Sequence, residues 1–98
     1  MSCDVPLGIP YNIASYALLL KLLAKESGMK EGKLIGFLAD THIYLNQIDG
    51  VMEQISRTPL ELCEVNITNT SGIFNWTYKD LEIINYKHLG KINFPLAV

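Results

Sequence analysis

The chain has 98 residues, of which 49% are hydrophobic and 18% charged, and its formal net charge is −2. This length suits a single domain over residues 1–98, and this composition excludes a disordered chain and a disulfide-rich scaffold. The small negative charge excludes a basic surface for a nucleic acid duplex, and two cysteines and two histidines without ligand spacing give no metal site.

The N-terminal part of the sequence predicts a loop followed by a long helix. Pro6, Gly8 and Pro10 disfavour regular structure in residues 1–11, and Asn12 can cap a helix by accepting hydrogen bonds from free backbone amides. Apolar residues then occur on nearly every helical face to about residue 27, which predicts a helix buried on most sides. Gly28 follows as a stop signal, because glycine readily adopts the left-handed conformation.

The most apolar part of this helix, residues 13–23, is interrupted by Ser15 and Lys21. It is too short to cross a bilayer, and no basic segment precedes it as in a signal peptide. We therefore expect no membrane contact and a location in the reducing cytoplasm.

The middle of the chain combines a strand pattern with a helix pattern. Residues 33–39 are mostly apolar and predict a buried strand, while residues 46–57 carry apolar side chains at helical spacing. Asp40, Thr41 and His42 lie between them, at a place where mixed sheets commonly bind ligands. The same residues also suit a capped helix start with His42 on the surface, so these residues alone leave both interpretations open.

The second half of the chain predicts two strands. Residues 63–68 alternate between apolar and polar side chains, residues 81–86 form a second short strand pattern, and Ser71 and Gly72 suit a turn between them. The complete order of elements predicts an α+β (mixed α/β) domain, with helices packed on a mostly antiparallel or mixed sheet.

Several motifs, in a consistent order, resemble the thymidylate synthase family. Residues 4–17, DVPLGIPYNIASYA, are similar to the family stretch D-x-x-L-G-x-P-F-N-I-A-S-Y-A, and residues 40–46, DTHIYLN, resemble its G-D-x-H-x-Y-x-N block. Residues 56–59, 80–86 and 95–98 also follow the family order. The resemblance covers all 98 residues but only the C-terminal portion of a full-length enzyme, and it implies the C-terminal part of that fold.

The resemblance implies a site for deoxyuridylate. Asn12 matches the family asparagine that pairs with uracil, and a carboxamide offers the donor and acceptor that the O4 and N3–H of uracil require. His42 and Tyr44 match the residues that hydrogen-bond the 3′-hydroxyl of the deoxyribose and so restrict its orientation. Ser2 matches a phosphate-binding serine, although Met1 stands where the family usually has an arginine.

The resemblance also implies contacts with 5,10-methylenetetrahydrofolate, the cofactor of the complete enzyme. Asp4 is placed like the family aspartate near the pterin, with Leu7 as a neighbouring contact, and Gly8 lets the backbone approach a flat ligand. Tyr11 replaces the usual phenylalanine and still offers an aromatic face to the p-aminobenzoyl group.

The C-terminal residues Ala97 and Val98 match the family segment that folds over the bound folate and excludes water. Other positions depart from the family pattern. Leu38 and Ala39 stand where two small residues are usual, so a leucine is expected to crowd the nucleotide or shift the strand end. Gln47 stands at a position that is usually histidine.

Neither cysteine matches the family nucleophile. That nucleophile, in a P-C-H segment upstream of the matching region, attacks C6 of deoxyuridylate before the folate supplies a methylene and a hydride. Cys3 lies at a variable position and Cys63 precedes a predicted strand, so we expect both thiols to be structural or incidental. We assign no catalytic residue, and we expect that this chain alone is inactive even though the resemblance implies a methyltransferase.

Three hypotheses about function stay open. The leading one is a C-terminal fragment of thymidylate synthase that contributes deoxyuridylate- and folate-binding residues to the methylation of dUMP to dTMP. The second is part of a pyrimidine hydroxymethylase, in which water rather than hydride ends the reaction. The third is a non-catalytic degenerate or assembly module. An isolated part of a domain exposes apolar surface, so we expect self-association, as in a dimer, or pairing with a missing N-terminal portion.

Overall fold

The computed structural model describes residues 2–68 and 71–96 and confirms the mixed α/β class. These residues contain two helices and two two-stranded sheets, in the order β1 Ser2–Asp4, α1 Ile9–Glu26, β2 Asp40–His42, α2 Ile48–Ser56, β3 Glu64–Ile67 and β4 Leu81–Ile84. Short 3-10 turns lie at Leu45–Gln47, Ile73–Asn75 and Tyr78–Asp80.

Strands β1 and β2 pair in parallel, with Ser2 opposite Asp40 and Asp4 opposite His42. The pairing continues past β1, where the Val5 N–H donates to the His42 carbonyl at 3.0 Å. The prediction of a loop over residues 1–11 was therefore wrong for β1. A three-residue strand has no visible periodicity, and its partner lies far along the chain after the crossover that a parallel pair requires.

Helix α1 begins at Ile9, and its N-cap residue is Gly8. Pro10 is tolerated in the first turn, because the amides there have no partner within the helix and the fixed φ of proline suits a helix start. Asn12 lies inside the helix, with its backbone N–H donating to the Gly8 carbonyl at 3.0 Å, so its prediction as the cap was wrong. The predicted stop is confirmed, since the helix ends at Glu26 and Gly28 has φ of 67°.

The apolar surface of α1 is largely uncovered within this chain. Ala24 is the only buried residue of the helix, whereas Ile13 is 58% exposed, so the expected burial on most sides was wrong for the chain by itself. The solvent-accessible surface totals 8119 Å², well above the roughly 5,600 Å² expected of a compact protein of this mass. In the described part of the chain, no helix is both long and apolar enough to cross a membrane.

Residues 33–39 form no strand and are exposed, which overturns the predicted buried strand. Phe37 is 94% exposed. An apolar run indicates only that a segment tends to be covered, and a strand forms only where a neighbouring backbone supplies hydrogen bonds.

The predicted strands of the second half are confirmed as an antiparallel pair. Val65 lies opposite Ile83 and Ile67 opposite Leu81, and exposure alternates along β3 as its sequence indicates. Gly72, in the predicted turn, has φ of 95°, a conformation that favours glycine. The helix predicted over residues 46–57 is also confirmed as α2, preceded by the turn Leu45–Gln47.

Candidate functional site

The end of β1 and the start of α1 form a turn centred on Asp4. The Asp4 carboxylate accepts a hydrogen bond from the Leu7 N–H at 3.2 Å, and its backbone carbonyl accepts one from the Gly8 N–H at 2.8 Å. A Cβ atom on Gly8 would lie 2.9 Å from the Asp4 carbonyl oxygen. Glycine is therefore required here by the backbone itself, and three of the predicted folate residues share one turn.

The parallel strand pair places His42 and Tyr44 beside this turn. The rings of His42 and Tyr44 meet edge to face, with centroids 4.8 Å apart and an interplanar angle of 73°. The Nδ1 atom of His42 lies 3.3 Å from the Asp40 carbonyl oxygen and 3.8 Å from its carboxylate. The imidazole is thus oriented by its own strand and by the Tyr44 ring.

Gln47 contacts both Asp4 and Tyr44 and is 0% exposed. Its Oε1 atom accepts a hydrogen bond from the Tyr44 N–H at 3.0 Å. Its Nε2 atom donates to the Asp4 carboxylate, with distances of 3.2 and 3.4 Å to the two oxygens, and to the Pro95 carbonyl at 3.2 Å. The sequence indicates this glutamine only as a departure from the family pattern, because two of its three partners lie 43 and 48 positions away.

The C-terminal segment packs on the N-terminal half of α2. A Cβ atom on Gly50 would lie 2.5 Å from Cε1 of Phe94, so the glycine provides the space that the aromatic ring occupies. The next residue, Pro95, accepts the hydrogen bond from Gln47. The predicted lid residues Ala97 and Val98 lie outside the described residues.

The remaining predicted site residues lie on β1 and on the first turn of α1. Asn12 is half-buried one turn into α1, and its carboxamide has no hydrogen-bond partner within residues 2–68 and 71–96. Tyr11 is 75% exposed, and Ser2 is exposed at the start of β1. That Asn12, His42 and Tyr44 face a single nucleotide pocket stays a prediction.

Both cysteines are free and half-buried. Cys3 lies in β1 opposite Thr41, and Cys63 lines a cavity of about 390 Å³ together with Arg57 and His88. A second cavity, of about 370 Å³, lies between α1 and the segment that joins β3 to β4. Neither cavity is lined by a predicted nucleotide or folate residue.

Relatives of known identity match almost the whole chain. A model of the thymidylate synthase family matches residues 1–98. The thymidylate synthase of Mesoplasma florum is 44% identical over 97 residues, which cover 99% of this chain and 34% of that protein. The bifunctional dihydrofolate reductase-thymidylate synthase of Paramecium tetraurelia is 43% identical over 97 residues, which cover 99% of this chain and 21% of that protein.

A solved structure supports the same relationship. Thermostable thymidylate synthase A from Bacillus subtilis superposes with a TM-score of 0.92 and 35% identity, over 99% of this chain and 35% of that chain. The chain therefore spans little more than a third of these relatives at most. The match extends over both helices and both strand pairs, and the predicted relationship is confirmed: this chain belongs to the thymidylate synthase family.

Proposed function

We propose that these residues are the C-terminal portion of a thymidylate synthase and supply side chains that bind deoxyuridylate and folate for the methylation of dUMP to dTMP. The observation that carries this proposal is the meeting of Asp4, His42 and Tyr44 at the parallel strand pair, in a chain that matches the family throughout. The carboxylate residue Asp4 and the imidazole residue His42 lie opposite each other in the strand pair, and the phenol ring of Tyr44 packs against the imidazole.

The nucleotide contacts follow from the chemistry of three side chains. The Asn12 carboxamide has no hydrogen-bond partner in the described part of the chain and offers the donor and acceptor that the uracil edge requires. The His42 and Tyr44 rings support each other and present polar atoms to a deoxyribose hydroxyl. Ser2, exposed at the start of β1, provides a hydroxyl for the phosphate.

The folate contacts follow from the turn that precedes α1. The Asp4 carboxylate keeps acceptor capacity beyond its bonds to Leu7 and Gln47, and Tyr11 offers an exposed aromatic face. A carboxylate acceptor suits the N–H donors of a pterin, and an aromatic face suits the p-aminobenzoyl group. When bound, 5,10-methylenetetrahydrofolate supplies the methylene and the hydride. The chain's own residues orient it, and Ala97 and Val98 close over it to exclude water.

The 98 residues alone are expected to lack activity. The reaction requires a thiolate that attacks the pyrimidine, and removal of such a nucleophile abolishes the covalent step. Cys3 lies within the paired strand β1. Cys63 lies directly before β3, where it lines the larger of the two cavities described above. We propose that the uncovered face of α1 pairs with the remainder of the synthase fold, or with a second copy where that remainder is absent.

A chimera tests this function. The chain replaces the matching residues of the Mesoplasma florum enzyme, and tritium release from labelled deoxyuridylate is measured beside the 98-residue chain alone. We expect turnover by the chimera and none by the chain. An Asn12→Ala variant of the chimera is expected to lose most deoxyuridylate affinity without a change in its unfolding midpoint.

Three outcomes contradict the proposal in different ways. Turnover by the chain alone would show that the expectation of inactivity is wrong. A folded chimera that binds neither ligand would favour the degenerate or assembly module. Release of hydroxymethylated instead of methylated product would favour the hydroxymethylase.

A further inference from the structure

Asp40 precedes His42 by two residues on β2, and oxygen atoms of its backbone and of its side chain lie beside the imidazole ring. We infer that Asp40 is a positioning residue: its oxygens hold the proton of the neutral His42 ring on Nδ1, so that Nε2 stays an acceptor and the site selects a sugar whose 3′ group donates a hydrogen bond. The selection rests on the proposed function, whereas the position of the ring proton is a property of the chain itself.

Two hydrogen-bond acceptors lie beside the Nδ1 atom of His42. The Asp40 carbonyl oxygen is 3.3 Å from Nδ1, and Oδ1 of the Asp40 carboxylate is 3.8 Å from it. Neither a carbonyl nor an ionised carboxylate has a proton to donate, so a hydrogen bond forms here only when Nδ1 carries the proton. The bond made by one ring nitrogen decides which of the two is protonated. Asp40 therefore stabilises the tautomer with its proton on Nδ1.

The other ring nitrogen, Nε2, has no hydrogen-bond partner in the described part of the chain. The Asp4 carboxylate belongs to the residue opposite His42 in the strand pair, but it accepts from the Leu7 N–H and from Nε2 of Gln47 instead. Among the described residues, no acceptor therefore competes for the proton by bonding the histidine at Nε2. The tautomer set at Nδ1 leaves a lone pair on Nε2 for a ligand.

A lone pair on Nε2 sets the direction of a hydrogen bond to a sugar hydroxyl. The 3′-hydroxyl has one proton to donate to His42, and its oxygen then accepts from a second group. The Tyr44 hydroxyl can supply that second group, because the Tyr44 ring packs edge to face on the imidazole at 4.8 Å. A fluorine in place of the 3′-hydroxyl has no proton and leaves Nε2 unpaired. The site is therefore expected to select a 3′ group that donates.

The position of the ring proton is tested in the 98-residue chain, without any ligand. Nitrogen chemical shifts distinguish a protonated from an unprotonated ring nitrogen, and His88→Asn identifies the His42 signals, since the chain has two histidines. At about pH 8.5, where histidine is neutral, we expect the proton mostly on Nδ1 of His42. Asp40→Ala removes the carboxylate but keeps the carbonyl, so the tautomer ratio should shift roughly fivefold toward Nε2. Asp49→Ala, the same change at an exposed position of α2, should leave the ratio unchanged.

Two results would overturn the role of Asp40 in orienting the ring proton. A proton found mostly on Nε2 in the unmodified chain would show that the Asp40 oxygens do not set the tautomer. This measurement decides the question even if Asp40→Ala does not fold. An unchanged tautomer ratio in folded Asp40→Ala would show that the carboxylate does not contribute.

The selection is tested in the chimera described above. Calorimetry measures the affinities for deoxyuridylate and for its 3′-fluoro analogue in the unmodified chimera and in its Asp40→Ala and Asp49→Ala variants. The unmodified chimera and the Asp49→Ala control should bind deoxyuridylate roughly tenfold more tightly than the analogue, because the fluorine leaves Nε2 unpaired. In Asp40→Ala this ratio should fall roughly threefold, because the ring can then turn an N–H toward the fluorine.

A purely structural role for Asp40 would weaken both ligands by the same factor and leave the ratio of affinities unchanged, which overturns the inference. Equal affinity of the unmodified chimera for both ligands overturns it as well. A chimera that binds neither ligand refutes the proposed function, while the tautomer measured in the 98-residue chain still decides how Asp40 acts on His42.

Discussion

The polar groups around Gln47 find their partners within this chain, whereas the apolar face of helix α1 is not covered by it. Gln47 is fully buried, and each of its polar atoms has a partner supplied by the same 98 residues. Helix α1 buries Ala24 but leaves large apolar residues such as Tyr16 and Leu19 exposed. Hydrogen bonds are completed by a few atoms at short range, whereas burial of an apolar helix needs a continuous covering surface.

This difference separates the geometry of the candidate site from the stability of the fold. The contacts among Asp4, His42 and Gln47 are made within the chain and orient the proposed ligand-binding groups. The complete fold is stabilised by burial of apolar surface, and much of that surface on α1 is exposed to solvent in this chain. We therefore expect substitutions in the two regions to respond differently when the rest of the fold is added.

The largest expected effect is a substitution on the uncovered face of α1. Leu19→Asp should change the unfolding free energy of the chain alone by less than about 0.5 kcal/mol, because the side chain is already 43% exposed. In the chimera the same carboxylate would be buried without a partner, at a cost of about 3 kcal/mol or more. Urea denaturation of both proteins measures the difference. Equal effects in the two proteins would mean that α1 is not covered in the chimera.

The next effect concerns the turn at Asp4. Gly8→Ala places a Cβ atom 2.9 Å from the Asp4 carbonyl oxygen, so the turn must shift, and we expect destabilisation of about 2 kcal/mol. Gly36→Ala is the matched control, since a Cβ there meets no atom within 4 Å. Both variants are compared by urea denaturation and by folate affinity in the chimera. If Gly8→Ala behaves like Gly36→Ala, the close packing of this turn does not contribute to the site.

A smaller effect is expected where the C-terminal segment meets α2. Gly50→Ala improves helix propensity by about 1 kcal/mol but overpacks the Phe94 ring by about 2 kcal/mol, so we expect a net loss of about 1 kcal/mol. The chemical shift of the Phe94 ring should move toward its unfolded value. Gly32→Ala, where a Cβ meets nothing within 4 Å, should leave that shift unchanged. A stabilised Gly50→Ala variant with its ring shift intact would contradict this packing.

The smallest effect is a surface ion pair at the end of α1. The hydrogen bond from the Lys21 ammonium lowers the pKa of the Glu31 carboxyl below its usual value. A lowered pKa in the folded state contributes stability above the pKa of the unfolded state, and this contribution is lost as the pH falls through the folded value. The unfolding midpoint should therefore depend slightly less on pH in Glu31→Gln, between about pH 5 and 3. Glu61→Gln, at an exposed position, serves as the control. An identical pH profile for both variants would mean that the ion pair does not contribute to the pH dependence of stability.

The sequence by itself determined the elements that local pattern encodes. Helix α2 and the β3–β4 pair were predicted because their apolar residues recur with the periods of a helix and a strand. The motifs around Asn12 and His42 also indicated the family, which the comparison over residues 1–98 confirmed. These features need no knowledge of distant partners.

Only the tertiary structure decided the features that depend on such partners. Strand β1 forms because β2 lies beside it, and the apolar residues 33–39 form no strand because no backbone pairs with them in the described part of the chain. The hydrogen bonds from Gln47 to Asp4 and Pro95 likewise depend on segments that are distant in sequence. Periodicity describes how one segment faces its surroundings, while backbone pairing and buried hydrogen bonds depend on which other segments those surroundings contain.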